Sequence, residues 1–166
     1  MRSALLTLGI AVAGLACSSE VPTGTQPSPP LRSLAAAGNS GCYVVAGTIS
    51  ETGAFPYFTG TITGDLVGSS FTILSLDTYF TGPVGHVPGD RTLAITGGSI
   101  PQLIGTTVHE VFNGLTIDEA HPLIRINERT RIDAGATSGN LTTHGTLNVG
   151  TFPWQVELQY QGVICP

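Results

Sequence analysis

Apolar and polar residues alternate most regularly over Pro56–Phe80. In the first half of this segment Phe58, Ile62 and Leu66 share one parity, and threonines occupy most of the other. A period of two residues is typical of a β-strand with one buried face. The alternation of apolar and polar residues repeats after the turn-like stretch Gly64–Gly68, so the whole segment is predicted to form a β-hairpin.

Alternating segments of this kind continue to the C-terminus and predict an all-β domain over residues 42–166. Candidate strands divided by turn residues, without a convincing amphipathic helix, are typical of an antiparallel barrel or sandwich. The candidates are Cys42–Ser50, Tyr57–Leu66, Ser69–Phe80, Arg91–Ile100, Thr106–Phe112, Leu123–Asp133, Ser138–Val149 and Trp154–Cys165. We therefore predict a single antiparallel β-barrel of roughly eight strands, with a β-sandwich as the alternative. Gly82–Asp90 and Gly114–Pro122 are expected to be irregular connections at a barrel mouth.

Two glutamates fall in the apolar register of their strands. Glu110 lies between Val108 and Phe112, and Glu128 shares the parity of Ile126. Alternation therefore points both carboxyl groups toward the core, where an ionised acid needs a partner or water.

Two interpretations of these acids are open. A buried pair of carboxyl groups can act as general acid and base, so Glu110 and Glu128 are the candidate catalytic residues. The alternative is a structural ion-pair network, with Arg91 or Arg125 as the partner. If the two acids line a ligand cavity, replacing them with glutamine is expected to abolish binding while the fold stays cooperative.

Composition narrows the classes of function. The chain has 166 residues, a formal net charge of -5 and no lysine. The net negative field repels phosphate backbones, so nucleic acid is not an expected partner. The four histidines lack HxH and HExxH spacing, and neither a GxSxG motif nor a lysine-containing catalytic motif is present. We expect no metal and no cofactor.

Residues 1–16 have the features of an export signal: a basic residue, a short apolar run and small residues at its end. Gly14-Leu15-Ala16-Cys17 resembles a bacterial lipobox, which implies cleavage before Cys17, lipid attachment to it and a membrane anchor. The lipobox pattern usually has leucine where Gly14 stands, so ordinary secretory cleavage after Ala16 or Ala13 is the alternative. Residues 17–41 are rich in Ser, Pro, Gly, Thr and Ala, a composition typical of a flexible tether.

Cys42 and Cys165 stand at the first and last edges of the predicted domain. In an exported protein two such cysteines are expected to form a disulfide that holds the terminal strands together. A barrel, in which the first and last strands are neighbours, fits this pairing better than an open sandwich.

Within the predicted hairpin, the run TGTITGDLVGSS over Thr59–Ser70 resembles the first hairpin of small bacterial barrels similar to allene oxide cyclase. The resemblance covers about two strands and implies a barrel fold. The catalytic positions of that family find no match in this sequence.

The sequence therefore predicts an exported, lipid-anchored protein of the bacterial cell envelope with a binding or structural role. Its expected partners are the membrane, through the anchor, and a small apolar ligand or an envelope protein. The rival hypothesis is a cofactor-free cyclase or isomerase that uses the barrel interior. A cavity of some hundreds of cubic ångströms with Glu110 or Glu128 in its wall favours a ligand or catalysis, whereas a filled interior favours a structural role.

Overall fold

The computed structural model describes residues 41–81, 83–120 and 122–166, which form a closed antiparallel β-barrel. The strands are β1 (Tyr43–Ala54), β2 (Tyr57–Gly64), β3 (Leu66–Leu74), β4 (Tyr79–Thr81), β5 (Val84–Gly98), β6 (Thr107–Ala120), β7 (Leu123–Ala134), β8 (Thr137–Asn148) and β9 (Trp154–Cys165). Their order is β3-β2-β1-β9-β8-β7-β6-β5, and β3 pairs with β5 to close the barrel. The short strand β4 extends this sheet beside β5. The predicted eight-stranded barrel is confirmed.

The first and last long strands are neighbours. β1 pairs with β9 along nearly its whole length, from Tyr43 opposite Ile164 to Gly53 opposite Trp154. Cys42 and Cys165 form a disulfide at one end of this pair, with their Cα atoms 4.0 Å apart. The predicted disulfide is confirmed, and such a bond is typical of an oxidising compartment.

Strand alternation places the side chains as predicted on β7 and β9. On β7, Ile126 and Glu128 are buried, whereas Arg125 and Arg129 are exposed on the outer face. On β9, Leu158 and Tyr160 belong to the core. The barrel thus has an apolar interior interrupted by a small number of polar side chains.

Several strands differ in length from their predicted bounds. β1 extends past Ser50 to Ala54, and the predicted strand Ser69–Phe80 divides into β3 and β4 at a turn where the Thr78 amide donates to the Ser75 carbonyl. β5 begins at Val84 and β6 continues to Ala120. The predictions of irregular connections at Gly82–Asp90 and Gly114–Pro122 were therefore wrong.

Proline and glycine are the reason for these two errors. Pro88 lies in β5 beside the turn between β3 and β4, and the Pro88 carbonyl accepts the Ser75 amide of that turn. The N–H that proline lacks would face the same turn, so its absence does not interrupt the hydrogen bonds between two long strands. Gly114 lies opposite Glu128 in the β6–β7 pair, where an added Cβ atom would lie 3.2 Å from Glu128 Cγ. This glycine makes room for a buried side chain and does not end a strand.

The two ends of the barrel differ. At the end that carries the disulfide, the interior is filled by apolar side chains, and the 3-10 turn Pro101–Leu103 adds the buried Leu103 to them. The opposite end is bounded by the β1–β2, β6–β7 and β8–β9 connections and by the segment around β4. The interior is open at this second end, which we call the mouth.

Among the described residues, no helix has the length and apolar character needed to cross a membrane. The predicted export signal, Cys17 and the predicted tether up to Ser40 lie outside the described residues.

Candidate functional site

A cavity of about 300 Å³ opens at the mouth of the barrel. Its walls are mainly apolar and come from most of the strands around the barrel. The apolar wall residues are Phe55, Phe58, Leu74, Val87, Ile124, Ile126, Leu147, Val149, Trp154 and Val156. The polar residues that line it are Glu51, Thr72, Thr78, Arg91, Thr116 and Glu128. Such a lining, largely apolar with few polar groups, is typical of small-molecule sites.

Four charged side chains form a cluster at mid-height of the barrel, which we call the ionic cluster. It consists of Arg91 from β5 and three glutamates from β1, β6 and β7: Glu51, Glu110 and Glu128. Their exposed fractions are 1% for Arg91, 2% for Glu51, 1% for Glu110 and 6% for Glu128. The interior therefore holds three carboxyl groups around a single guanidinium group.

Arg91 is the centre of the cluster. Its Nε donates to Thr72 Oγ1 at 2.9 Å, its Nη1 and Nη2 both donate to Glu128 Oε2 at 3.3 Å, and its Nη1 lies 3.5 Å from Glu110 Oε2. Its Nε also lies 3.6 Å from Glu51 Oε1. The Phe112 ring packs against the guanidinium group, with 4.9 Å between Arg91 Cζ and the ring centroid. Each guanidinium nitrogen thus already has a hydrogen-bond acceptor among Thr72, Glu110 and Glu128.

Threonine hydroxyls complete the cluster. Thr72 donates from Oγ1 to Glu51 Oε1 at 2.7 Å, and Thr143 donates from Oγ1 to Glu128 Oε2 at 2.6 Å. These charge-assisted hydrogen bonds fix one oxygen of each of these two carboxylates.

Burial and charge shift two pKa values within the cluster. Burial alone would lower the pKa of Arg91, but the attraction of Glu128, Glu51 and Glu110 outweighs burial and raises it. Burial raises the pKa of Glu110 to about 7, although the nearby Arg91 acts in the opposite direction. With a pKa of about 7, the Glu110 carboxyl group is partly protonated at neutral pH.

Several polar atoms of this region have no hydrogen-bond partner among the described residues. They include Thr116 Oγ1 in the cavity wall, and Glu110 Oε1 and Thr130 Oγ1 outside it. The hydrogen bonds described above leave Glu51 Oε2 and Glu128 Oε1 unused as well. A buried polar atom without a partner is costly, so the Thr116 hydroxyl in the cavity lining is available to a bound molecule. The second carboxyl oxygens of Glu51 and Glu128 can also accept hydrogen bonds from such a molecule.

The structure brings the two predicted acids together in the ionic cluster, but only one of them lines the cavity. Both Glu110 and Glu128 are buried, as strand alternation predicted, and Arg91 is the partner that contacts them. Glu128 lines the cavity, whereas Glu110 lies outside its lining. Arg125, the other arginine considered as a partner, is exposed on the outer face of β7.

Sequence reasoning missed Glu51 and Thr116. Glu51 lies one residue beyond the predicted end of its strand at Ser50, although it shares the parity of Val45 and Ile49. Thr116 lies in the segment that was predicted to be an irregular connection. Extending the alternation through both segments would have placed the two side chains in the interior.

Comparison of the chain with known protein families, curated proteins and solved structures finds no significant match. Of the resemblance to allene-oxide-cyclase-like barrels, the structure shows the eight-stranded antiparallel barrel fold. Within the described part of the chain, no group of three or more His, Cys, Asp or Glu side chains is arranged to hold a metal ion.

Proposed function

We propose that the barrel binds a small, mainly apolar molecule in the cavity at its mouth. The observation that carries the proposal is the cavity itself, about 300 Å³ in volume, with Glu128 in its wall. A purely structural barrel is expected to fill its interior at the density of a protein core. The far half of this barrel is filled in that way, so the hollow half is a local feature of the fold.

The size and lining of the cavity indicate the size of the ligand. An apolar cavity of about 150 Å³ is large enough to take up benzene. This cavity has about twice that volume, so a benzene ring with a short chain is a suitable probe. Trp154 lies in the wall and is the only tryptophan of the chain, so its fluorescence reports occupancy of the cavity directly.

The test is a titration of the purified, disulfide-bonded protein with propylbenzene. We expect a saturable change in Trp154 fluorescence, with calorimetry giving the same dissociation constant. Val156→Phe, which places a larger side chain in the wall, is expected to weaken binding at least fivefold. Val163→Phe makes the same change on the outer face of the same strand and is expected to leave binding unaltered. Absence of saturable binding by the parent protein would contradict the proposal.

The alternative proposal is a cofactor-free cyclase or isomerase, and the raised pKa of Glu110 is the observation that favours it. A carboxyl group with a pKa of about 7 suits general acid–base chemistry. Glu110 nevertheless lies outside the cavity lining, and Glu128 in the wall is occupied by Arg91 and Thr143. These placements favour binding over catalysis. Recovery of an isomerised product from a bound ligand, and loss of that conversion in Glu110→Gln, would reverse this preference.

We further propose that the barrel is exported and held at the membrane of the bacterial envelope by lipid on Cys17. The disulfide, which is typical of an oxidising compartment, supports export, and the lipobox-like residues before Cys17 support the anchor. Mass spectrometry of the mature N-terminus after expression in bacteria tests the anchor. An N-terminus that begins at another residue, or an unmodified Cys17, contradicts it.

A further inference from the structure

We propose that the cavity selects apolar molecules that carry a protonated amine, with the ammonium group bound at the ionic cluster. This inference rests on the proposed function, because it names the chemical class of ligand that the same cavity takes. Three features of the cavity support it: the balance of charge in the cluster, the hydrogen-bonding atoms that the cluster leaves open, and the position of the apolar wall.

The cluster contains more acidic groups than basic ones. Glu51 and Glu128 both line the cavity and both contact Arg91 through their carboxylate groups. These two glutamates already outnumber the guanidinium group, whatever the protonation state of Glu110. When both of these carboxyl groups are ionised, the region next to the cavity carries excess negative charge in surroundings of low dielectric constant, where a second cation is stabilised and an anion is repelled.

The open hydrogen-bonding atoms are also of the kind that an amine needs. Each guanidinium nitrogen of Arg91 already donates to Thr72, Glu110 or Glu128. In the lining, Thr116 Oγ1 has no hydrogen-bond partner among the described residues, and the hydrogen bonds of the cluster use neither Glu51 Oε2 nor Glu128 Oε1. All three oxygen atoms can accept a hydrogen bond. An ammonium group has three N–H donors and no acceptor, which suits a site rich in free acceptors. A carboxylate ligand would bring further acceptors, for which the Thr116 hydroxyl is the donor in the lining that the described hydrogen bonds leave open.

The apolar wall lies between the cluster and the mouth. Phe55, Leu147 and Trp154 come from the connections or strand ends at the mouth, whereas Arg91 and Glu128 lie at mid-height of the barrel. A molecule that enters with its amine first can thus leave its hydrocarbon part against apolar side chains. This arrangement fits a primary amine on a phenylalkyl group of about ten non-hydrogen atoms.

The test uses three molecules that share a ring and chain but differ at the end: 3-phenylpropan-1-amine, 3-phenylpropanoate and propylbenzene. At pH 7.5 they are cationic, anionic and uncharged. We expect the amine to bind at least tenfold more tightly than propylbenzene, and the carboxylate to bind more weakly than propylbenzene. Propylbenzene must also displace the amine, as measured by Trp154 fluorescence and calorimetry, which distinguishes the cavity from weak attraction of the amine to an acidic surface.

A pair of threonine variants controls for folding. Thr116→Val removes a cavity-lining hydroxyl that has no partner, and Thr130→Val removes a buried hydroxyl that has no partner and lies outside the lining. Neither change breaks a described hydrogen bond, so both variants are expected to fold. Thr116→Val is expected to weaken binding of the amine at least threefold and to leave binding of propylbenzene unchanged. Thr130→Val is expected to alter the binding of neither molecule.

The possible outcomes separate the two proposals. Equal binding of the three molecules, tighter binding of the carboxylate, or equal effects of the two threonine variants would overturn the amine preference while the cavity remains a binding site. If propylbenzene does not bind, the proposed function itself is wrong, whichever of the other two molecules binds. Tight binding of the amine that propylbenzene displaces supports both the binding site in the cavity and its preference for an amine.

Discussion

Glu110 is the residue at which burial and charge conflict most directly. It is 1% exposed, its Oε2 lies 3.5 Å from Arg91 Nη1, and its Oε1 has no partner among the described residues. A single contact of this length does not replace the hydration that the carboxylate loses on folding. The folded protein therefore holds the Glu110 proton more tightly than the unfolded chain does.

This conflict predicts that Glu110→Gln stabilises the protein above neutral pH. The pKa of Glu110 rises on folding from 4.5 to about 7, so the folded state binds the proton more tightly and stability falls as pH increases through this interval. Glutamine has no proton to lose, and its carbonyl oxygen can still accept from Arg91. We expect the variant and the parent to have similar free energies of unfolding near pH 4.5, and the variant to be more stable by about 3 kcal/mol at pH 8.

Urea denaturation at several pH values between 4.5 and 8 measures this difference. Glu157→Gln is the matched control, because Glu157 lies on the exposed outer face, where it accepts from the Ser50 hydroxyl. Its stability difference from the parent is expected to stay nearly constant over the same pH range. A Glu110→Gln protein that loses stability at pH 8 would show that the carboxylate contributes net stabilisation.

At the residue scale, alternation predicted the orientation of Glu110 and Glu128 correctly, because the strands around them are regular. It did not show that one acid lies in a cavity wall and the other outside it. That difference depends on how side chains of different strands pack together, such as Phe112 of β6 against Arg91 of β5, and the pattern of a single strand does not contain this information. The sequence did not predict that Glu51 belongs to the ionic cluster, because the predicted strand ended one residue too early, at Ser50.

At the scale of strands, glycines opposite large side chains are a recurring device of this barrel. Gly89 lies opposite Phe112, and an added Cβ atom there would lie 2.5 Å from the Phe112 ring. Gly47 lies opposite Tyr160, with the same 2.5 Å to the Tyr160 hydroxyl. Gly89 was predicted to belong to an irregular connection and Gly47 to a strand, but in the barrel both are strand positions that a neighbouring side chain crosses. The strand types were thus predictable, but the lengths of β5 and β6 were not.

Tyr160 also connects β9 to the β2–β3 turn across the filled end of the barrel. Its hydroxyl accepts the Leu66 amide at 3.0 Å and donates to the Thr63 carbonyl at 3.2 Å. Leu66 is fully buried, so its amide has no access to water when this partner is removed. The hydroxyl therefore satisfies backbone groups that the tight turn leaves unpaired.

We predict that Tyr160→Phe destabilises the protein by about 1–3 kcal/mol, since the Leu66 amide would be left buried without an acceptor. Chemical denaturation measures the loss, and faster hydrogen exchange of the Leu66 amide locates it. Tyr43→Phe is the matched control, because within the described part of the chain the Tyr43 hydroxyl has hydrogen bonds only with Gln102, at the more exposed surface of the same end. Equal effects of the two substitutions would contradict a special role for the Tyr160 hydroxyl.

At the scale of the whole molecule, the barrel divides into a filled half that carries the disulfide and a hollow half that carries the cavity. The filled half contains Leu66, Ile95, Leu103 and Ile164, all buried in the core. The hollow half has the ionic cluster at its base and open connections at its mouth. Stability is therefore expected to depend mainly on one half of the barrel and ligand binding on the other.

This division predicts that loss of the disulfide lowers stability without removing ligand binding. The bond between Cys42 and Cys165 joins residues 123 positions apart, and a loop of this length corresponds to a loss of about 4–5 kcal/mol in the chain-entropy model when the cross-link is removed. The β1–β9 strand pair remains hydrogen-bonded along its length, so the fully folded barrel should keep its closure and its cavity.

The variant Cys42→Ala/Cys165→Ala is expected to unfold at lower urea concentration and to bind propylbenzene with an unchanged dissociation constant wherever it is folded. Urea titration followed by circular dichroism, combined with Trp154 fluorescence in the absence of urea, measures both quantities on the same sample. A folded variant that has lost binding would show that the disulfide end controls the shape of the mouth, and that the two halves are coupled through the strands that they share.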